Sequence, residues 1–185
     1  MTGRVIVVGG GVRSGKSAFA LTRARALGAR RGFVATAQAF DAEMTARIAD
    51  HVRTRGPDFQ TMEEPVALAK RLATLTELDV VVVDCLTLWL SNLLLRDEPA
   101  AAITAAIDEL VGVVRRRPFH TVIVTNEVGM GIVPESALGR AFRDVAGVAH
   151  QRLAAIADEL YLAVLGVIVR LRPAPVAVQP PGATA

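Results

Sequence analysis

The run GGVRSGKS, residues 10–17, combines glycines, a lysine and a hydroxyl side chain at a spacing that suits phosphate groups. It fits the pattern G-x-x-x-x-G-K-[ST] at Gly10, Gly15, Lys16 and Ser17. In such a loop the glycines let backbone N–H groups turn towards phosphate, the lysine reaches the β- and γ-phosphates, and the serine ligates Mg²⁺. A glycine turn without a ligand is the alternative. We predict a phosphate loop because the run lies between the apolar stretch VIVV and the helical pattern SAFALTRARAL.

A carboxylate that could hold the metal ends the run DVVVVD, whose four valines indicate a buried strand. Ligands bind at the carboxyl ends of the strands in parallel α/β sheets, and Asp84 is predicted to lie at such an end. It could bind Mg²⁺ directly or through water, or it could cap the next helix, and the two roles are compatible. The sequence contains no N-K-x-D motif for guanine, so it does not predict an ordinary GTPase.

A histidine stands between two arginines in the segment RIADHVRTR. Arg47, His51 and Arg55 are four residues apart and share one face of a predicted helix. Neighbouring cations disfavour the protonated imidazole, so His51 could be a neutral nucleophile that carries a phosphoryl or nucleotidyl group. Spacing alone favours the plainer alternative of a surface histidine among helix arginines. His120, at a strand entrance, and His150, in a predicted helix, show even less sign of a role.

Polar residues also follow another predicted strand, in the segment TNEVGMG. Asn126 and Glu127 should emerge at the same sheet edge as Asp84, where they could orient an acceptor hydroxyl or the water ligands of a metal. Solvated groups of a simple turn are the alternative. Arg140 and Arg143, three residues apart on the next predicted helix, could clamp phosphate, although a solvated helix face is favoured.

Composition limits the class of protein. The chain has 185 residues, of which 52% are hydrophobic and 4% aromatic, and these values suit one domain with a core of aliphatic side chains. Cys85 is the only cysteine, which excludes an intramolecular disulfide and a cysteine metal cluster. The net charge of +3 suits a nucleotide ligand but gives little support to nucleic-acid binding. No apolar run reaches the length of a membrane helix or a signal peptide, so we expect a cytoplasmic protein.

Alternation of short β-branched runs with helical patterns predicts an α/β domain with a mostly parallel sheet flanked by helices, over residues 1–172. A hairpin around Gly166 should close one sheet edge, and residues 173–185 form a Pro-rich, flexible tail. The predicted strands are Arg4–Val8, Gly32–Thr36, Asp79–Asp84, Thr121–Thr125 and the hairpin Leu160–Leu171. The predicted helices run from about Gly15 to Leu27, from the N-cap Asp41 to Gly56, through LTLWLSNLLL, and from Glu135 to Asp158.

Four stretches carry a family resemblance: GGVRSGKS, FVATAQAFDAEMTARIADH, VVVDCLTLWLSNLL and VTNEVGMGIVPESALGRAFRDVAG. In order and spacing they closely resemble the bifunctional adenosylcobinamide kinase/adenosylcobinamide-phosphate guanylyltransferase family of cobalamin biosynthesis. The resemblance extends over about Arg4 to Arg172. It is specific, because TNEVGMGIVP and the arginine inside the phosphate loop are not general features of P-loop proteins. It implies a RecA-like P-loop NTPase fold and a homotrimer.

The resemblance also implies two successive reactions. First, the γ-phosphate of ATP or GTP passes to the hydroxyl of the aminopropanol arm of adenosylcobinamide. A family histidine, which matches His51, then attacks the α-phosphate of GTP, releases pyrophosphate and carries GMP. Adenosylcobinamide phosphate accepts the GMP to give adenosylcobinamide-GDP. For His51 the resemblance therefore reverses the preference that spacing alone gives.

Family residues that contact nucleotide match positions in five parts of this chain. They are Gly10, Gly11, Val12, Arg13, Ser14, Gly15, Lys16 and Ser17 in the loop, Ala35, Thr36 and Ala37, then Val52, Arg53, Thr54 and Arg55, and finally Glu63 and Asp84. Two positions depart from some relatives. Asp50 replaces a second histidine, which makes the assignment to His51 cleaner. Asp84 replaces a glutamate, and this shorter carboxylate changes the expected distance to the metal.

Two other functions remain compatible with the residues themselves. One is a plain P-loop small-molecule kinase in which His51 takes no part. The other is a binding module that responds to GTP but turns nothing over. Labelling with α-labelled GTP distinguishes these possibilities, since only the bifunctional enzyme forms a nucleotidyl adduct.

Overall fold

The structure is a computed structural model that describes residues 2–39, 41–116 and 118–179, apart from the side chains of Arg47, His51 and Gln179. Over these ranges the chain forms eight strands: β1 (Val5–Gly10), β2 (Arg31–Ala35), β3 (Gln60–Glu63), β4 (Val80–Asp84), β5 (His120–Asn126), β6 (Glu159–Val164), β7 (Val167–Arg172) and β8 (Ala177–Gln179). The same ranges contain six helices: α1 (Lys16–Arg25), α2 (Ala42–Arg55), α3 (Leu68–Ala73), α4 (Leu86–Leu95), α5 (Ala100–Arg115) and α6 (Ala137–Ile156).

The eight strands form one sheet in the order β3-β2-β4-β5-β1-β6-β7-β8. The first six of these strands are parallel to one another. Strand β7 pairs antiparallel with β6, and β8 pairs antiparallel with β7. Strand β5 lies between β4 and β1, with Gly10 in register with Asn126 and Asp84 in register with Val124. The carboxyl ends of the three central strands therefore meet at one edge of the sheet.

Both faces of the central sheet are covered, and this explains why its strands are apolar throughout. Successive residues of a strand point to opposite faces. Val5 and Val7 contribute to the core under α3, α4, α5 and α6, whereas Ile6 and Val8 contribute to the core under α1. The apolar helix α4 lies largely in the first core, where Trp89 is 1% exposed.

The predicted fold class is confirmed. Four predicted strands correspond to β1, β2, β4 and β5 with ends that differ by at most two residues, and the predicted hairpin is formed by β6 and β7. Gly166 supplies its turn with a φ of 78°. No strand was predicted at β3, because this polar edge strand, in which only Met62 is buried, lacks an apolar pattern.

Three residues of the expected tail belong to a strand. Ala177–Gln179 forms the short edge strand β8, which pairs with β7 through Ile168, Val169 and Arg170. Residues 180–185 lie outside the described residues. None of the helices in the described ranges combines the length and apolar character that crossing a membrane would require.

Helix α2 lies on the surface for most of its length. It begins as predicted, with the Asp41 carboxylate accepting a hydrogen bond from the Met44 N–H at 2.7 Å. Its apolar side chains are only partly covered, since Met44 and Ile48 are half-buried and Val52 is 50% exposed. At its C-terminal end, Arg55 is buried with 3% exposure, and its guanidinium lies over the ring of Phe33 in β2.

Candidate functional site

The phosphate loop connects β1 to α1 at the carboxyl edge of the sheet. At Gly10 the φ is 154°, and a Cβ atom there would lie 2.4 Å from the carbonyl oxygen of Ala163 in β6. Gly15 caps α1 with a φ of 92° and offers no side chain to the free N–H groups of the helix. These glycines are therefore required by close packing and by backbone conformation, and the start of α1 is available to an anion.

Two buried polar side chains belong to this loop. Lys16 is 8% exposed, and its Nζ donates to the carbonyl oxygen of Gly11 at 3.0 Å. Ser14 is also 8% exposed, and its Oγ has no hydrogen-bond partner within the described part of the chain. A buried hydroxyl without a partner is costly, so this group suits a ligand oxygen.

Hydrogen bonds from β2 and α4 hold the backbone beside Asp84. The Thr36 hydroxyl donates to the carbonyl oxygen of Cys85 at 2.7 Å and accepts from the Cys85 N–H at 2.8 Å. The Asn92 side chain donates to the Thr36 carbonyl at 2.8 Å. Burial raises the pKa of the Cys85 thiol, and the charge of Asp84 adds to that effect. Cys85 is therefore a neutral thiol that supports the edge rather than a nucleophile.

Arg55 brings a positive charge from the end of α2 to the same edge. Its guanidinium carbon lies 4.1 Å from the ring centroid of Phe33, and its Nε lacks a hydrogen-bond partner within the described ranges. Burial lowers the pKa of Arg55, and the charge of Asp84 opposes this shift, which indicates that the two side chains are near each other. Arg25 supports the helix end by donating to the Arg55 carbonyl at 2.9 Å. Arg55 thus offers a partly desolvated cation to an anionic ligand.

Asn126 and Glu127 lie beside the start of the phosphate loop. The Glu127 N–H donates to the carbonyl oxygen of Gly10 at 3.0 Å. The Asn126 amide donates to the Thr87 hydroxyl at 2.9 Å, so that amide links β5 to α4. The Glu127 carboxylate accepts from the Gly129 N–H at 2.7 Å. Sequence reasoning placed both residues at the correct edge.

His150, to which the sequence patterns give no role, also lies near this edge. The Nε2 of His150, in α6, lies 2.7 Å from the Thr125 hydroxyl, and its Nδ1 lies 3.8 Å from a Glu127 carboxylate oxygen. Nothing in the local sequence of α6 indicates these contacts, because they join elements that are distant along the chain. The one feature of the sequence that could have indicated them is a histidine on a predicted helix that must pack against the end of β5.

Arg140 and Arg143 bind the loop that precedes α6. Arg143 donates to the carbonyl oxygens of Gly129 at 2.9 Å and Ile132 at 3.2 Å, and Arg140 donates to that of Pro134 at 3.0 Å. These contacts show that the two arginines, on a partly exposed helix face, also organise the loop. The loop leaves Ile132 96% exposed.

The remaining predicted residues are distributed around the same edge. Ala35 is in register with Glu63 at the ends of β2 and β3, and Ala37 follows in the next turn of the chain. Val52, Arg53 and Thr54 are exposed on α2. The backbone of His51 lies in the same helix, whereas its side chain is outside the described part of the structure.

Comparisons with known proteins agree with the expectation from the motifs. The model of the family described as cobinamide kinase / cobinamide phosphate guanyltransferase matches residues 6–171. The bifunctional adenosylcobalamin biosynthesis protein CobP of Pseudomonas aeruginosa is 40% identical over 167 residues, which cover 90% of this chain and 96% of that protein. The bifunctional adenosylcobalamin biosynthesis protein CobU of Escherichia coli is 40% identical over 184 residues, which cover 91% of this chain and 99% of that protein.

A second CobU protein, from Salmonella typhimurium, is 41% identical over 184 residues, which cover 91% of this chain and 99% of that protein. Among solved structures, the RadB recombinase is similar with a TM-score of 0.52 and 14% identity, covering 96% of this chain and 87% of its own. This structural likeness shows the RecA-like fold alone.

Proposed function

Because the chain belongs to the cobinamide kinase / cobinamide phosphate guanyltransferase family, it is a bifunctional enzyme of cobalamin biosynthesis, and we propose how its residues perform the two reactions. The observation that supports the proposal most strongly is the meeting of the phosphate loop, Asp84 and Arg55 at one sheet edge. A plain small-molecule kinase is not favoured, since the family match covers residues 6–171 and carries both activities.

In the kinase reaction the γ-phosphoryl group of ATP or GTP passes to the hydroxyl of adenosylcobinamide. The backbone N–H groups of residues Gly10 to Ser17 surround the phosphates, and the Lys16 ammonium moves from the Gly11 carbonyl to the phosphate oxygens. Stabilisation of the transferring group by fixed positive charge is the largest part of such catalysis. Asn126 and Glu127 lie where they can orient the acceptor hydroxyl.

Ser17 and Asp84 are the side chains that would hold Mg²⁺. A hydroxyl and a carboxylate are hard oxygen donors of the kind that Mg²⁺ prefers. Within the described ranges no group of three or more His, Cys, Asp or Glu side chains could hold a metal, so the ion would complete its shell with phosphate oxygens and water. When bound, it would neutralise charge on the β- and γ-phosphates.

In the transferase reaction His51 is the nucleophile. A bond forms between an imidazole nitrogen and the α-phosphorus of GTP as the bond to pyrophosphate breaks. The phosphate of adenosylcobinamide phosphate then attacks the same phosphorus and releases His51. Arg55, four residues along α2 and near Asp84, offsets negative charge on the leaving pyrophosphate.

The other nucleotide contacts are proposed from the positions of the residues in the fold. Ala35, Ala37 and Glu63 lie at or just beyond the carboxyl ends of β2 and β3. The Thr36 hydroxyl is already bonded to the backbone of Cys85. Thr36 would therefore support the site by holding that backbone rather than by a hydroxyl contact with the nucleotide. Val52, Arg53 and Thr54 are exposed on α2 and able to contact a nucleotide that reaches His51.

We also propose that the protein is a homotrimer. Exposed Leu95 and Leu138 line a surface groove between α4 and α6, and an adjacent copy of the chain would cover them.

Incubation with α-labelled GTP tests the transferase mechanism. We expect the protein to retain label in an acid-labile, alkali-stable adduct, because a phosphoramidate bond has that stability, and His51→Ala should abolish it. His120→Ala is the matched control and should retain the adduct, since His120 lies at the opposite end of β5. Retention of label by the His51→Ala protein would contradict the assignment. Transfer of γ-phosphate without any adduct would indicate the plain kinase.

A further inference from the structure

His150, Thr125 and Glu127 form a chain of polar contacts at the carboxyl end of β5. The hydroxyl of Thr125 and Nε2 of His150 are 2.7 Å apart, and Nδ1 of His150 is 3.8 Å from Oε2 of Glu127. Thr125 is 3% exposed, and the side chains of His150 and Glu127 are 20% and 29% exposed. The reactions described above give His150 and Thr125 no task.

The protonation state of His150 follows from its burial and its neighbours. Burial lowers the pKa of His150, and the charge of Glu127 opposes that shift, so the ring is neutral near pH 7. A neutral imidazole has one donor and one acceptor. Because a carboxylate only accepts, the nitrogen that faces Glu127 is the donor, and Nε2 accepts from the Thr125 hydroxyl. Glu127 thereby sets the tautomer of His150, and the Thr125 hydroxyl holds the ring through Nε2.

Glu127 lies beside the start of the phosphate loop. Its N–H donates to Gly10 at the start of the phosphate loop, and β5 lies between the strands that carry the loop and Asp84. One oxygen, Oε1, accepts from the Gly129 N–H at 2.7 Å, and the other, Oε2, faces His150. The Gly129 N–H thus holds one oxygen, His150 faces the other, and both oxygens keep lone pairs for another partner.

We propose that Glu127 takes the proton of the acceptor hydroxyl in the kinase reaction, and that His150, oriented by Thr125, is its positioning residue. The inference rests on the proposed kinase function. As the bond from the hydroxyl oxygen to the γ-phosphorus forms, the bond from that phosphorus to the leaving nucleoside diphosphate breaks, and the proton passes to the Glu127 carboxylate. The separation of 3.8 Å between His150 and Glu127 closes when substrate is bound, as catalytic hydrogen bonds commonly do.

Variants at both positions test the proposal by transfer of γ-labelled phosphate to adenosylcobinamide. Glu127→Gln should lower kcat on the order of 100-fold, the usual lower range for loss of a general base. His150→Ala should lower kcat roughly 10-fold or more with the KM for nucleotide unchanged, since the residue acts through Glu127. The two amide variants distinguish its two nitrogens. His150→Asn places an amide nitrogen near Nδ1 and should restore part of kcat, whereas His150→Gln places it near Nε2 and should not.

Two controls separate positioning from folding. His120→Gln makes the same substitution at the other end of β5, where the ring accepts from the Arg4 N–H, and should leave kcat unchanged. The adduct formed with α-labelled GTP should persist in the His150 variants, because its formation involves no acceptor hydroxyl. If the unsubstituted protein transfers no γ-phosphate, the proposed kinase function is wrong. If it does, and His150→Ala keeps full kcat or His150→Asn loses as much as His150→Ala, the inference alone is overturned.

Discussion

Among single residues, Arg55 combines burial with an incomplete set of hydrogen bonds. The free protein covers its guanidinium with Phe33 and leaves Nε without a partner in the described ranges. Such a group costs free energy in the unliganded state, and an anionic ligand recovers that cost. We therefore expect this charge to contribute more to binding than to folding.

Replacement of Arg55 should consequently separate affinity from stability. We expect Arg55→Gln to weaken GTP binding about 10-fold or more, because a hydrogen bond to a charged group contributes about 1.5–3 kcal/mol. The free energy of unfolding without ligand should change by less than about 1 kcal/mol, since loss of the contact with Phe33 offsets removal of the buried charge. Calorimetric titration and urea unfolding measure the two quantities. Arg30→Gln, which alters an exposed pair with Asp79, is the control. Equal GTP affinity in the two variants would refute this role.

At the scale of elements, Glu159 connects the first residue of β6 to α1 and to the start of β1. Its carboxylate accepts from Arg23 at 2.6 and 3.0 Å, from Arg4 at 3.2 Å and from the Tyr161 hydroxyl at 2.7 Å. Burial alone would raise the pKa of Glu159, but the hydrogen bonds from Arg23 and Tyr161 outweigh it and hold the pKa below its usual value. Burial and the Glu159 charge raise the pKa of Tyr161 to about 12.

The stabilisation from Glu159 should therefore depend on pH. A depressed folded-state pKa adds stability above the unfolded-state value of about 4.3, and this stability is lost as pH falls through the folded-state value. Glu159→Gln should cost about 3–5 kcal/mol at pH 7, because Arg23 would remain buried without its counter-charge. The difference from the unsubstituted protein should shrink below about pH 4. Urea unfolding at several pH values checks this, with the exposed pair variant Asp108→Asn as a control. A difference that does not vary with pH would count against the assignment.

Elements with a strong local pattern were predictable, and elements defined by their neighbours were not. The runs VIVV and VVVV identify β1 and β4 because both faces of these strands are buried. QTME does not identify β3, an edge strand that is exposed at three of its four residues. The positions of the phosphate loop, Asp84 and Glu127 follow from their places at or just after the ends of strands. The contact of His150 with Thr125 does not, because packing of α6 against β5 creates it.

For the whole molecule, ligand binding at the edge should appear as global stability. A ligand that binds only the folded state adds about 2.7 kcal/mol at a concentration of 100 times Kd. For a domain of this size such a gain raises Tm by roughly 5–10 °C. The gain requires an intact phosphate loop. Among the described residues of that loop, Lys16 is the one cationic side chain that is buried.

The two lysines of the chain provide a matched test of this linkage. Lys16→Ala should abolish γ-phosphate transfer to adenosylcobinamide and remove most of the rise in Tm produced by GTP, because it deletes the charge that reaches the phosphates. Lys70→Ala removes an exposed lysine on α3 and should leave both unchanged. Thermal unfolding with and without GTP, together with the transfer assay, measures the effects. Undiminished product from the Lys16→Ala protein would rule out the proposed role of the loop.

The position of β1 has a consequence for biosynthesis. The strand that carries the phosphate loop has β5 and β6 as its neighbours, with Val5 opposite Thr121 and Ile6 opposite Glu159. A ribosome releases those partners long after β1 itself, and non-local pairings of this kind form slowly. The phosphate loop of the nascent chain therefore cannot take its final position until β5 and β6 have been synthesised, although β1 precedes both of them along the chain.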